Sequence, residues 1–332
     1  MNPNSWLFRV ASDPKWGGGH VSRCRVLASE FARNGIGTGF WLDSNDGGWT
    51  KILHAAGFDT VPDTAAAGGT NWRGMLVDGY ELMDAATLND MRSVARPVVC
   101  IVDHIPPQID VDLTINPGAD PVESGAGHLS GFECALVDPA FADVLPSDGA
   151  EVARLLVALG RTDICGASPK VVRALTKATF PSSPPAVTVV LGSNSPLLDD
   201  VRGALADYPG SGALCVDEAD MVTQFAEADA VVVAGGVSLL ECLAAGRPNC
   251  VVQTADNQSG NVRQAVSQGG SIDGGDISEW DETRFIAAIE ALCSSAATRT
   301  RVAANARRSV DGKGAERVAK AMLRCHEMLW RQ

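Results

Sequence analysis

The chain is poor in positive charge. Of its 332 residues only 27 are Lys or Arg, against 40 Asp or Glu, for a formal net charge of −13. Such a surface repels phosphate backbones, so nucleic acid is not expected as a partner. Histidine is scarce too, with 5 in all and no HxxxH or HxH spacing, so no metal site is expected. The 9 cysteines are odd in number, widely spread and free of any CxxC pair, which argues against a zinc site or a disulfide framework. Several lie in apolar runs, as Cys100 does, and read as free thiols packed as small hydrophobes. No run approaches the roughly 20 apolar residues that span a bilayer, and no membrane partner is expected. The first residues, Met1-Asn2-Pro3-Asn4-Ser5, are not a basic segment leading into a long apolar stretch, so a cytoplasmic chain without a signal peptide is expected. With no heptad pattern, a monomer is the expectation.

What is present suits real cores: 45% of residues are hydrophobic and only 20% charged. The length suggests two domains, taken here as 1–149 and 150–332, with the terminal helices able to pack back on the first. Short apolar runs that end in polar residues suit buried parallel strands. In the first half they cover 6–11, 37–43, 74–78, 97–103, 113–116 and 135–138; in the second, 154–159, 186–191, 213–216, 230–234 and 249–253. Amphipathic runs alternate with them. Residues 20–34 repeat Val21, Cys24, Leu27, Ala28 and Phe31 at helical spacing, and Gly35 closes the run. Further helices are expected at 168–178, 196–208, 220–228, 238–245, 281–294, 296–308 and 314–332. The alternation predicts an α/β fold of two doubly wound, Rossmann-like domains facing each other across a cleft, joined by a hinge near 146–152.

Three segments can carry chemistry. The first is Trp16-Gly17-Gly18-Gly19-His20-Val21-Ser22-Arg23-Cys24, which follows the first strand and opens the first helix. Glycines let the backbone approach a ligand, and the helix start offers unpaired N–H groups. A histidine there is biased towards its neutral form, which can serve as a base. It is not the GxGxxG dinucleotide fingerprint. Read alone, the segment also fits a plain glycine-rich turn with a surface histidine. The second is Gly235-Gly236-Val237-Ser238-Leu239-Leu240-Glu241. Its spacing is that of a capping box, in which Ser238 caps the helix and Glu241 bonds back. It equally suits a diphosphate cradle with Glu241 on a ribose hydroxyl. The third, Asp256-Asn257-Gln258-Ser259-Gly260-Asn261, follows a strand and lies where ligands bind in open α/β sheets; Asn257 and Gln258 suit sugar hydroxyls and acetamido groups. The strand ends Asp78-Gly79-Tyr80 and Asp103-His104 are weaker candidates.

Taken in order, these segments resemble the nucleotide-sugar hydrolases of pseudaminic acid biosynthesis, a family with a GT-B-like architecture related to the glycosyltransferase MurG. The likeness runs from Arg9 to about Ile272. Gly17 to Cys24 is similar to the family's Gly-x-Gly-His-x-x-Arg-Cys, Asp78-Gly79-Tyr80 to its Asp-x-Tyr, and Leu113-Thr114-Ile115-Asn116 to the segment after its acidic strand end. Gly235 to Glu241, Gly246-Arg247-Pro248 and Asn257-Gln258 are similar to its Gly-Gly-x-[Ser/Thr]-x-x-Glu, Gly-x-Pro and Asn-Gln. The chain departs from the family at Ala11, where an acid usually follows the early arginine. It departs again at Gly160-Arg161-Thr162-Asp163 (family Gly-Gly-x-Asp), at Asp103-His104 (paired aspartates) and at Asp138-Pro139-Ala140-Phe141 (Arg-Pro-Glu-Phe).

The resemblance implies cleavage of UDP from UDP-2,4-diacetamido-2,4,6-trideoxy-β-L-altropyranose by water, with inversion, without cofactor or metal. His20 would handle that water. Gly17, Gly18, Gly19, Arg23, Tyr80, Asp103, Asn257 and Gln258 would hold the substrate, and Gly160, Gly192, Gly235, Gly236, Ser238 and Glu241 the nucleotide. A glycosyltransferase using a UDP-sugar donor and a non-catalytic nucleotide-sugar-binding protein are the alternatives.

Overall fold

The computed structural model describes residues 4–13, 15, 18–44, 47–62, 67–69, 71–103, 111–119, 127–146, 151–218 and 220–329. Trp16, Gly17, His104, residues 147–149 of the expected hinge and residues 330–332 of the expected last helix lie outside the described residues. The chain divides into two compact units: Met1–Leu136 with Lys313–Gln332, and Val137–Gly312.

The first unit holds a seven-stranded sheet. Its strands are β1 (Ser5–Val10), β2 (Gly37–Leu42), β3 (Asp59–Thr60), β4 (Gly74–Asp78), β5 (Val98–Ile101), β6 (Leu113–Asn116) and β7 (Gly127–Ser130). They pair in the order β3-β2-β1-β4-β5-β6-β7, every pair parallel. Helices α1 (Gly19–Arg33), α2 (Gly47–Ala55) and α3 (Ala85–Val94) connect them. The stripe Val21, Cys24, Leu27, Ala28, Phe31 of α1 is fully buried. Phe31 meets Trp6 and Phe8 of β1 edge-on at ring-centroid distances of 5.6 and 5.8 Å. Burying Val21, Leu27 and Phe31 contributes about 1.5–3 kcal/mol each, so the helix that carries the histidine is anchored by its own apolar face.

The second unit holds a six-stranded sheet in the order β10-β9-β8-β11-β12-β13, again all parallel. The strands are β8 (Arg154–Ala158), β9 (Ala186–Leu191), β10 (Gly212–Val216), β11 (Ala230–Ala234), β12 (Asn249–Gln253) and β13 (Ile272–Asp276). The helices are α4 (Ala167–Leu175), α5 (Leu198–Ala206), α6 (Met221–Glu227), α7 (Val237–Ala245), α8 (Ser259–Ser267), α9 (Glu282–Ser294) and α10 (Ala296–Ser309); α11 (Gly314–Leu329) returns to the first unit. Both sheets reverse direction once, between β1 and β4 in the first and between β8 and β11 in the second. The crevice beyond the carboxyl ends of those strands is where open α/β sheets bind ligands.

Three strands differ from expectation by presence and one by absence. Strands β3, β7 and β13 are short or glycine-rich and lack an apolar run. The expected strand at 135–138 is not formed. Leu136 and Val137 are buried there, but the edge of the sheet is taken by β7. The start of α11 presses on the same segment, since a Cβ on Gly314 would run into the Ala135 carbonyl oxygen. The compact units also divide at Leu136 and Gly312, with the last helix in the first unit. Among the described residues no helix is long and apolar enough to cross a membrane.

Candidate active site

Strand β4 ends on Asp78, a fully buried carboxylate at the first switch point. Its partners come from α1, the helix that follows the neighbouring strand β1. Oδ1 lies 2.7 Å from His20 Nδ1 and accepts from Arg23 Nη2 at 2.6 Å. Oδ2 accepts from Arg23 Nε at 2.7 Å and from the Cys24 thiol at 3.3 Å. Residues 20, 23 and 24 reach one carboxylate because a helical turn returns positions three and four apart to one face. Arg23 extends the cluster by donating from Nη1 to Asp103 Oδ1 at 2.6 Å. The Tyr80 hydroxyl donates to Asp103 Oδ2. Its ring stands edge-on to His20 with centroids 5.3 Å apart. Asn116 steadies Asp103 from β6, donating to its backbone oxygen at 2.9 Å.

Charge is balanced within this cluster. Burial opposes ionisation of Asp78 most strongly, but the Arg23 charge and the hydrogen bonds from Arg23 and His20 outweigh it and hold the carboxyl well below its ordinary range. Asp103 follows the same pattern: burial is the largest influence and Arg23 overcomes it, so this carboxyl too is held low. Burial and then Asp78 push the Cys24 thiol well up, leaving it a neutral donor. An ionised carboxylate only accepts, so the hydrogen shared with His20 sits on Nδ1, and in the neutral ring the lone pair is then on Nε2. That is the arrangement of an oriented general base.

The sequence expectation gave Arg23 and Asp103 to the substrate. In the structure Arg23 is 7% exposed, and its Nε, Nη1 and Nη2 are engaged by the two aspartates. Asp78 is a weaker candidate by sequence than the glycine-rich segments; its signal is a carboxylate ending the wholly buried strand β4. Ala11, where the resembled family carries an acid, is buried. An ideal Cβ on Gly79 would lie 2.5 Å from the Ala11 side chain, so this position is packed against backbone.

Gly18 starts α1 in the left-handed region at φ +85°. A Cβ there would lie 2.5 Å from Trp49 Cζ2. Gly18→Ala therefore combines a conformational cost of about 1–2 kcal/mol with a clash that Trp49 must relieve. We expect urea denaturation to show a loss of about 2–3 kcal/mol.

In the second unit the candidate residues occupy four adjacent strand ends: Gly192 after β9, Gly160 after β8, Gly235 and Gly236 after β11, and Asn257 and Gln258 after β12. Helix α7 starts from Gly236, with no side-chain cap bond. Ser238 already lies inside its first turn, so the expected capping box is not formed. Gly236 provides the non-helical residue instead, at φ −91°, ψ −140°. Asp163 serves the neighbouring helix α4, accepting from the Ala167 and Ser168 amides at 2.9 and 2.6 Å. Arg161, where the resembled family has glycine, pairs with Asp217.

The paired switch-point sheets make this an α/β protein with two Rossmann-like units of the kind found in the GT-B fold. No family model matches the chain. The chain is 32% identical over 140 residues to the spore coat polysaccharide biosynthesis protein SpsG of Bacillus subtilis, a stretch covering 42% of this chain and 40% of that protein. Among solved structures, MurG of Acinetobacter baumannii matches at a TM-score of 0.65 and 12% identity, covering 96% of this chain and 99% of that one. Anabaena HepE, solved with UDP-glucose, matches at 0.64 and 15%, again covering 96% and 99%.

Proposed function

We propose that the protein is a nucleotide-sugar hydrolase that releases UDP from a UDP-linked 2,4-diacetamido-2,4,6-trideoxy sugar. The observation that carries the reading is the His20–Asp78 pair, fixed at 2.7 Å beside Arg23, Asp103 and Tyr80. His20 Nε2 takes a proton from water, and that oxygen forms its bond to the anomeric carbon. The bond from that carbon to the diphosphate oxygen breaks, and UDP leaves with the electron pair. Attack opposite the leaving group inverts the anomeric centre. Asp78 keeps accepting from His20 Nδ1–H and stabilises the imidazolium that forms, as in other carboxylate-oriented histidines. The amides at the start of α7 and the Ser238 hydroxyl are assigned to the diphosphate, where negative charge grows as the bond breaks. None of these donors depends on a positive net charge.

Support also comes from the ordered motifs that resemble the pseudaminic acid pathway hydrolases, from SpsG as a partial relative and from the fold shared with a UDP-glucose complex. The GT-B fold itself favours a second reading, a glycosyltransferase in which His20 activates an acceptor hydroxyl. Incubation with a panel of UDP-linked 2,4-diacetamido sugars, followed by NMR, separates the two. Prompt UDP release with water alone, giving a free sugar of inverted configuration, is the expected outcome. Turnover only after an acceptor is added would replace the hydrolase by a transferase.

A further inference from the structure

The chemistry of the Gln258 side chain suits a sugar, yet its carbonyl oxygen is already occupied. Oε1 accepts from the Gly235 amide at 3.1 Å, from the Thr254 amide at 2.9 Å and from the Thr254 hydroxyl at 3.1 Å. One turn further on, Asn261 Nδ2 donates to the Gly235 carbonyl at 3.1 Å. Both polar groups of Gly235 are thus held by side chains of the next strand's loop and helix. The packing agrees: a Cβ on Gly235 would lie 2.5 Å from Val262 Cγ2 and 3.0 Å from Gln258 Cβ. The Gly235 amide, spent on Gln258, is not the donor it was expected to be for a diphosphate. The donors left to that role begin at Gly236.

We infer that Gln258 and Asn261 are positioning residues that clamp the Gly235–Gly236 turn and thereby aim the start of α7 at the diphosphate. The inference rests on the nucleotide reading above and deepens it. The physical reason is preorganisation: a glycine pair has no side chain to fix its own peptide planes, and donors aimed at an anion are effective only when their direction is set beforehand. The clamp ties two adjacent strand ends, β11 and β12, across the turn. It leaves Gln258 only its amide Nε2 as a donor for a ligand.

The test compares UDP with uridine, which carries the same base and ribose but no diphosphate. Binding to the full chain and to Gln258→Met and Asn261→Ala is measured by calorimetry for UDP and by saturation-transfer NMR titration for uridine. Gln258→Met keeps side-chain length and removes the acceptor; Asn261→Ala releases the other side of the same peptide. We expect UDP affinity to fall about tenfold in Gln258→Met and several-fold in Asn261→Ala, the scale of one or two buried hydrogen bonds. Uridine affinity should be unchanged in both. An equal loss for uridine would overturn the clamp in favour of general damage to the unit. Unchanged UDP affinity in both variants would overturn it too and return Gln258 to the sugar. If the unmodified chain binds neither ligand, the nucleotide reading itself fails, and the inference with it.

Discussion

His20→Ala is expected to lower the rate of UDP release by about 10³-fold while leaving UDP affinity unchanged. A positioned general base contributes roughly 10²–10⁴, and His20 is the group of the cluster whose outward nitrogen is an acceptor by the geometry of Asp78. The loss should fall on kcat, because an interaction made only in the transition state lowers kcat and kcat/KM together. The fold should persist in the variant. Arg23 still meets Asp78 through two hydrogen bonds at 2.6 and 2.7 Å, so the buried carboxylate keeps its counter-charge. A melting curve within a few degrees of the parent, together with normal UDP binding, would establish that a lost rate is lost chemistry. Parent-like turnover in this variant would remove His20 from the mechanism.

The reason this site was half legible in the sequence is topological. Helix α1 declared itself by its apolar stripe, and His20 and Arg23 share a face by helical spacing alone. Their common partner lies 58 and 55 positions away. It meets them because β4 pairs with β1, a register that the sequence does not spell out. The second sheet was read more directly because its strands β9, β11 and β12 are apolar runs bounded by breakers. Strand β13, Ile272-Asp273-Gly274-Gly275-Asp276, carries no such run. It holds by pairing with β12, and a Cβ on Gly274 would lie 2.7 Å from Cys250 Sγ. The capping box at Ser238 misled because spacing alone does not decide which residue leaves the helix; at α7 it is Gly236.

Asp78→Asn is expected to be at least as damaging to turnover as loss of the histidine and, unlike it, to damage the fold. The three nitrogens around Asp78 are donors: His20 Nδ1–H, Arg23 Nε–H and Arg23 Nη2–H. An asparagine offers one acceptor oxygen and turns an NH2 group towards the rest. If the NH2 takes the place of Oδ1, it faces both His20 Nδ1 and the Arg23 Nη2 donor; the ring must then accept at Nδ1 and carry its hydrogen on Nε2, which can no longer take a proton. The comparable carboxylate-to-amide change in a catalytic triad costs about 10⁴ in kcat, and a loss of that order is expected here. If the oxygen stays at the Oδ1 place instead, the NH2 faces Arg23 Nε; in either orientation Arg23 loses its fully buried counter-charge, and breaking a buried pair costs about 3–5 kcal/mol. The pH dependence carries a sign that tests the same geometry. Asp78 is held well below its ordinary range in the folded chain, so its contribution is complete above the unfolded carboxylate pKa of about 4. That contribution disappears as pH falls through the lower folded value. The stability gap between parent and Asp78→Asn, measured by urea denaturation, should therefore be widest near neutrality and shrink on acidification. A gap that stayed constant down to the acid limit would mean that Asp78 stabilises the fold by packing and not by charge, and that Arg23 does not keep it ionised.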